Sequence, residues 1–272
     1  MKSNLLAFVL LLFVTSSCSE FNKVLKSTDY DYKFAYAKKS FEQKKYYRAY
    51  TLLEELVPIL KGTEKAEESL YLLGQSYLGS KDYITAAQTF STYYNTYPKG
   101  TYTELSRFYS AKSYYFDSSD PRLDQSQNVK AINEFQMFLE YFPQSEKVDE
   151  AQKLMFELQE KLAYKEFLNA KLYYDLGNLK MNSLLENNYL ACVIVSQNAL
   201  KDYPTTKYKE DFYHLILKSK YRQAVYSVVE KRTERYREVV DEFYSYKNEF
   251  PEGKYMKDAS EILAQSQKMI KN

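Results

Sequence analysis

The sequence predicts an all-α fold, a right-handed superhelix of five helical hairpins plus a C-terminal capping helix. Three observations carry this expectation. Glycine and proline number six each in 272 residues, too few for the turns of an all-β chain. Small and large apolar residues recur at helical spacing in paired runs. An aromatic-proline dipeptide closes four successive segments, Tyr97-Pro98, Phe142-Pro143, Tyr203-Pro204 and Phe250-Pro251, spaced 45, 61 and 47 residues apart. Proline lacks an N–H and its ring blocks the preceding turn, so each dipeptide ends a helix and begins a connection.

The clearest unit runs from Leu70 to Pro98. It places Leu70, Leu73, Gly74 and Tyr77 on a first helix and Ala86, Phe90 and Tyr93 on a second. Ala86 follows Gly74 by twelve positions, Phe90 comes four later, and Pro98 closes the unit twelve after Ala86. Small residues let two antiparallel backbones approach where they cross, and Tyr77 and Phe90 fill the groove beside the crossing. These are the intervals of a tetratricopeptide repeat (TPR), so the hairpins are TPR-like. The turn Gly79-Ser80-Lys81-Asp82-Tyr83 offers a glycine to end one helix and an aspartate to cap the next.

The other hairpins keep the pattern with local departures. The first spans about residues 29–60, with Tyr36-Ala37 and then Ala49, Leu53 and Leu56, joined by Gln43-Lys44-Lys45-Tyr46; its proline, Pro58, comes early. The third begins near Thr101, with Ala111 and Tyr114 and then Ala131, Phe135 and Phe138, and carries a polar loop, Asp117 to Asp124, between its helices. The fourth has a long first helix, about Lys147 to Leu176, a second inserted loop from Gly177 to Asn188, and a second helix with Ala191, Cys192, Val195, Ala199 and Leu200. The fifth runs from about Lys207 to Pro251 with Val239, Phe243 and Tyr246 in phase, and Lys254 to Ile270 reads as the cap over the last apolar face.

Composition removes several functions. Net charge is +2, so no strong field points to nucleic acid, and there is no zinc spacing, phosphate-cradling glycine loop or RNA-recognition motif. The expectation is no nucleic acid, no metal and no cofactor. The one histidine, His214, stands on a helix with no nucleophile beside it in sequence, which reads as structural. Cys192 sits in an apolar run and reads as a small buried hydrophobe. The chain carries 30 tyrosines and no tryptophan. Most of that tyrosine is inter-helix filler, and the surplus suits a polypeptide-binding surface.

The first residues read as a secretory signal. Lys2 precedes ten apolar residues, Leu5 to Val14, then Thr15, Ser16, Ser17 and Cys18. The apolar run is short of the about 20 residues that span a bilayer. A cysteine directly after small residues resembles a lipobox, which implies cleavage after Ser17 and lipid on Cys18; Thr15 stands where that signal usually has leucine. Two or more acyl chains hold a protein stably on a membrane where one does not.

A lipobox followed by five TPR-like units is similar to the BamD family, lipoproteins of the outer-membrane β-barrel assembly machinery. Two stretches sharpen the likeness: Leu123 to Phe135 leading to Tyr141-Phe142-Pro143-Gln144-Ser145, and Leu162-Ala163 through Glu166, Ala170 and Tyr173-Tyr174 to Gly177, resuming at Tyr189-Leu190-Ala191 and ending Lys201 to Thr206. The 177–188 insertion and the longer tail beyond Lys207 depart from the family pattern. The resemblance implies no enzyme activity. It implies a scaffold on the periplasmic face of the outer membrane that holds the periplasmic domains of BamA and receives unfolded β-barrel proteins. The expected division is a signal peptide (1–17), a lipidated tether (18–28), a substrate-recognition half (29–143) and a BamA-docking half (144–272).

On that basis Tyr36, Tyr71, Tyr77, Arg107, Tyr109 and Tyr114, all on first helices of repeats one to three, are the expected peptide-binding residues. Lys218, Arg222, Arg232 and Arg235, in a basic stretch from Lys218 to Arg237, are the expected docking residues; a solvated helix face accounts for the same charges equally well. Two other readings share these residues. One is a different lipid-anchored TPR adaptor of the envelope. The other is a glycan-binding or glycan-cleaving lipoprotein, which would need paired carboxylates about 5–9 Å apart.

Overall fold

The structure is a computed structural model that describes residues 20–178 and 185–271. Every regular element among the described residues is an α-helix. The fold forms two compact units. One comprises the chain to Ser118 together with Ser126–Met155, and the other comprises Ser119–Gln125 with the chain from Phe156 onward.

The first unit holds a short helical segment α1 (residues 20–25), α2 (Tyr30–Glu42), α3 (Tyr46–Ile59), α4 (Ala66–Gly79), α5 (Tyr83–Thr96), α6 (Thr103–Phe116), α7 (Ser126–Tyr141) and the first turns of α8 (Val148–Asn178). From α2 to α7 each helix packs on the next in sequence. The crossing of α4 and α5 is as close as the spacing demands: a Cβ on Gly74 would lie 2.7 Å from the Phe90 ring. Ala86, Phe90, Leu52, Leu53 and Leu56 are fully buried beside it.

The turns correct one expectation. Gly79 is not a left-handed helix stop; it is the last helical residue of α4, and a Cβ there would meet the Tyr46 ring at 2.5 Å, so glycine serves packing. The left-handed positions are Lys44 (φ 58°) and Lys81 (φ 67°). After each, the next N–H reaches back five residues, Lys45 to the Ser40 carbonyl (2.8 Å) and Asp82 to the Tyr77 carbonyl (3.0 Å). This helix-ending bond pattern usually recruits glycine. Asp82 then caps α5 by accepting from the Thr85 N–H, as Asp29 caps α2 through Tyr32.

The second unit holds the rest of α8, then α9 (Leu185–Asp202), α10 (Lys209–Val225), α11 (Val229–Glu249) and α12 (Met256–Lys271). The expected 177–188 loop is shorter than the sequence suggests. Helix α8 runs through Gly177 to Asn178 and α9 already begins at Leu185, leaving 179–184 outside the described residues. Gly177 sits beneath the Tyr189 ring, which a Cβ would meet at 2.6 Å, so it serves packing between α8 and α9 rather than a turn. Cys192 is free and buried, and burial pushes its thiol up.

One arrangement recurs where a hairpin closes onto the next. Glu67, in the first turn of α4, accepts from the Tyr93 hydroxyl (2.9 Å) and from the Thr101 N–H (2.9 Å), while Tyr102 N–H donates to the Tyr93 hydroxyl (3.1 Å). Glu210, in the first turn of α10, repeats this with the Tyr246 hydroxyl (2.8 Å) and the Tyr255 N–H (3.3 Å). Gly100 and Gly253 complete the two closings, because a Cβ on either would lie within 2.9 Å of the tyrosine hydroxyl and the glutamate oxygen. The third hairpin solves the same problem differently. Phe138 stands where the others have tyrosine, and Ser145 stands where they have glycine; its hydroxyl donates to Glu104 of α6 at 2.5 Å.

The two solutions should be interchangeable only as pairs. Tyr246→Phe alone removes a hydrogen bond to a charged group, worth about 1.5–3 kcal/mol. Gly253→Ser alone overpacks the Tyr246 hydroxyl at a cost of about 1–3 kcal/mol. The double variant is expected to cost at least about 1 kcal/mol less than the sum of the two, measured by urea unfolding as a double-mutant cycle. Additive costs would show that the serine does not substitute for the tyrosine.

Candidate functional site

In the first unit, Tyr36, Tyr71 and Tyr109 pack half-buried against one core cluster. Tyr71 and Tyr109 flank the buried Phe90 ring at centroid distances of 6.0 and 5.7 Å. Tyr71 also stacks on half-buried Tyr102 at 4.3 Å with planes 6° apart. Tyr36 stands apart from that group and stacks on Phe21. Tyr77 is 8% exposed, stacks on Tyr50 and donates its hydroxyl to Glu54, so the structure places it inside the core. Burial raises the Tyr71 and Tyr77 phenols well above their ordinary value, so both remain neutral hydrogen-bonding groups.

Arg107 and Tyr114 meet a different set of groups. The Arg107 guanidinium lies 4.2 Å from the Tyr94 ring centroid on α5 and 4.3 Å from that of Tyr141 on α7. Tyr94 donates its hydroxyl to Glu134, 3.2 Å from each carboxylate oxygen. Burial raises the Glu134 carboxyl above the usual range against the opposing pull of the Tyr94 hydroxyl and Arg107. Burial likewise raises the Tyr114 phenol, with Glu134 adding to the shift, and Lys130 lies 5.7 Å from the Tyr114 ring. Tyr94, Glu134 and Tyr141 were not among the residues expected from sequence. The available signal was the helical stripe Lys130, Glu134, Met137 and Tyr141 on α7.

In the second unit the four expected docking residues lie on α10 and α11, and each has an internal contact. Lys218 sits 4.8 Å from the Tyr174 ring. The Arg222 guanidinium is raised by a hydrogen bond to the Tyr174 hydroxyl. Arg232 donates to the Ser227 carbonyl (3.2 Å) and Arg235 to the Gln223 carbonyl (3.3 Å), tying the α10–α11 turn. Lys231 and Arg237 are the exposed bases of this stretch.

The same unit carries an open cavity of about 510 Å³ whose apolar wall is Pro121, Phe156, Tyr164 and Tyr208. Nearby, His214 stacks on Tyr255 with centroids 3.9 Å apart, and its Nε2 lies 2.5 Å from the Asp258 carboxylate. Tyr255 donates to Asp211 (2.6 Å), which also takes Lys254 at 2.9 Å. Ser17 and Cys18 lie outside the described residues.

A family profile described as YfiO, outer membrane lipoprotein, matches residues 28–225. The chain belongs to that family. The YfiO match takes in α2 through α10 and stops before α11, so both compact units contain family sequence and the last two helices lie beyond it. YfiO is the BamD family domain, so the family-level likeness read from the repeats holds. A search of curated proteins gives no match. Among the described residues no helix is long and apolar enough to cross a membrane.

His214 gives this YfiO-family chain a clean pH signature, because it is the only histidine. Burial, helped by the Lys218 charge, holds its imidazole below the ordinary value despite the pull of Asp258. The unfolded chain therefore takes up the proton first, near pH 6.5, and stability falls as pH drops from there through the folded value. The wild type is expected to melt lower at pH 5.5 than at pH 7.5, and His214→Gln should flatten that difference. Equal slopes in both proteins would remove the histidine from the account.

Proposed function

We propose that this protein is an outer-membrane assembly factor, a lipid-anchored TPR scaffold that binds the periplasmic domains of BamA and helps unfolded β-barrel proteins enter the membrane. The observation that carries the reading is the outer membrane lipoprotein match across nine consecutive helices, α2 to α10. Stacked helical repeats offer long surfaces and serve as platforms for polypeptides.

The first unit is the proposed receptor for extended, aromatic-rich segments. Tyr36, Tyr71 and Tyr109 keep half-buried rings at its surface, and Tyr102 extends the row. Rings already fixed by stacking cost little further entropy on binding, which suits stacking and backbone hydrogen bonding to an unfolded chain. The second unit is the proposed docking half. Arg232 and Arg235 hold their own turn, so Lys231 and Arg237 supply its outward positive charge. Lipid on Cys18 would keep both at the membrane.

Three experiments test this reading. A tagged protein pulled down from outer membranes in mild detergent is expected to bring a large β-barrel protein with tandem periplasmic domains as its main stoichiometric partner. Cys18→Ala is expected to shift the protein into the soluble periplasmic fraction. Recovery of division or polysaccharide-processing proteins in place of the barrel would replace the function while leaving the fold. Reversing Lys231 and Arg237 to Glu is expected to reduce barrel recovery severalfold, most strongly at low salt where the new repulsion is least screened, whereas unchanged recovery would discard the basic docking face.

A further inference from the structure

We infer that Arg107, held between Tyr94 and Tyr141, is a receptor for a single carboxylate on an extended peptide partner. The inference rests on the reading of the first unit as a polypeptide receptor and names the chemistry that one part of it selects.

A guanidinium carries five N–H donors in one plane. Among the described residues no hydrogen bond or ion pair reaches those of Arg107; its contacts are the two tyrosine rings, at 4.2 and 4.3 Å, and the longer-range charge of Glu134. The two rings hold the guanidinium by cation–π contact, which uses its charge but none of its N–H donors. Those donors remain for a ligand. An in-plane edge matches a planar two-oxygen acceptor, which is the geometry of an arginine–carboxylate fork. Glu134 does not fill that role, because it makes no ion pair or hydrogen bond with Arg107 and acts on it only as a nearby charge.

The surroundings favour a peptide carboxylate over a phosphate. Glu134 stands beside the guanidinium and would repel a dianion more than a monoanion. On α7 one turn from Tyr141, Met137 is exposed (41%), and Tyr141 itself is 57% exposed. These give apolar contact on the flank of the acid. Lys130 over Tyr114 continues the cationic and aromatic character along the same face of α7.

The test uses the full-length lipoprotein in mild detergent and two labelled, C-terminally amidated decapeptides of alternating Phe and Thr. They are identical except for one central Glu in the first and Gln in the second. Fluorescence anisotropy is expected to show the acid peptide binding about tenfold more tightly than its amide twin. In Arg107→Lys, which keeps the charge but loses the fork, that ratio should fall to about one. Arg107→Gln should abolish it too, with melting temperatures confirming that both variants fold. Equal binding of the two peptides to the wild type, or a preference that survives in Arg107→Lys, overturns the inference. Binding of neither peptide overturns it together with the polypeptide-receptor reading. A third arm measures sedimentation with phosphatidylglycerol vesicles: vesicle binding that depends on Arg107, without a peptide preference, would assign the site to a lipid headgroup instead.

Discussion

The fold depends on a glutamate that caps the helix two elements further along. A helix begins with N–H groups that have no partner inside the helix. The N-cap residues of α6 and α10, Tyr102 and Tyr208, supply no side-chain cap of their own. Glu67 from α4 meets the N–H of Thr101 just ahead of α6, and Glu210 from α10 meets that of Tyr255 just ahead of α12. Glu160 from α8 reaches the Lys207 N–H ahead of α10 at 3.4 Å, and Glu104 from α6 binds Ser145, whose hydroxyl accepts from the Lys147 N–H ahead of α8. The negative charge also suits the positive end of each helix dipole. A helix capped this way is complete only when its predecessor is already packed beside it. Local order in the chain is thus coupled to neighbouring tertiary contacts, which is how stacked repeats become cooperative.

The same arrangement explains much of the tyrosine. A buried carboxylate needs donors, and a second charge is a costly way to supply them. A phenol whose proton is held by burial donates one hydrogen bond and fills apolar volume with its ring. Tyr93 with Glu67, Tyr94 with Glu134 and Tyr246 with Glu210, all partly buried carboxylates, follow this rule. Phenylalanine would leave each carboxylate short of a partner. Where phenylalanine does occur, at Phe138, Ser145 supplies the hydroxyl from across the turn.

These pairings mark the limit of what the sequence discloses. The twelve-then-four spacing and the aromatic-proline closings locate the helices because both act within one hairpin, where period and proline chemistry are local. Glu67 and the Thr101 N–H that it meets lie in successive hairpins, and nothing about either residue alone points to the other. Gly79 and Gly177 look like turn residues by type, yet each is helical and is glycine because a tyrosine ring from a neighbouring helix occupies the place of its Cβ. The binding residues are legible to the same degree. First-helix position identifies Tyr71, Tyr109 and Arg107 as outward-facing candidates. Position alone could not separate Tyr77, which the core encloses, or reveal that Arg107 turns toward Tyr94 and Tyr141 rather than toward Tyr71 and Tyr109.

Under the proposed function, that separation bears on how the first unit would handle an unfolded chain. The Tyr71, Tyr102 and Tyr109 rings form a surface with no charge of its own, able to stack on any extended segment with little regard to sequence. Arg107 lies elsewhere on α6, held by the Tyr94 and Tyr141 rings. A surface of the first kind supplies affinity without selection. A fixed guanidinium supplies selection, because a ligand without an acceptor gains nothing at its edge while still displacing water from it. A receptor for many unfolded clients needs the two functions on separate residues, so that clients can vary in their aromatic positions and still be read at one charged point.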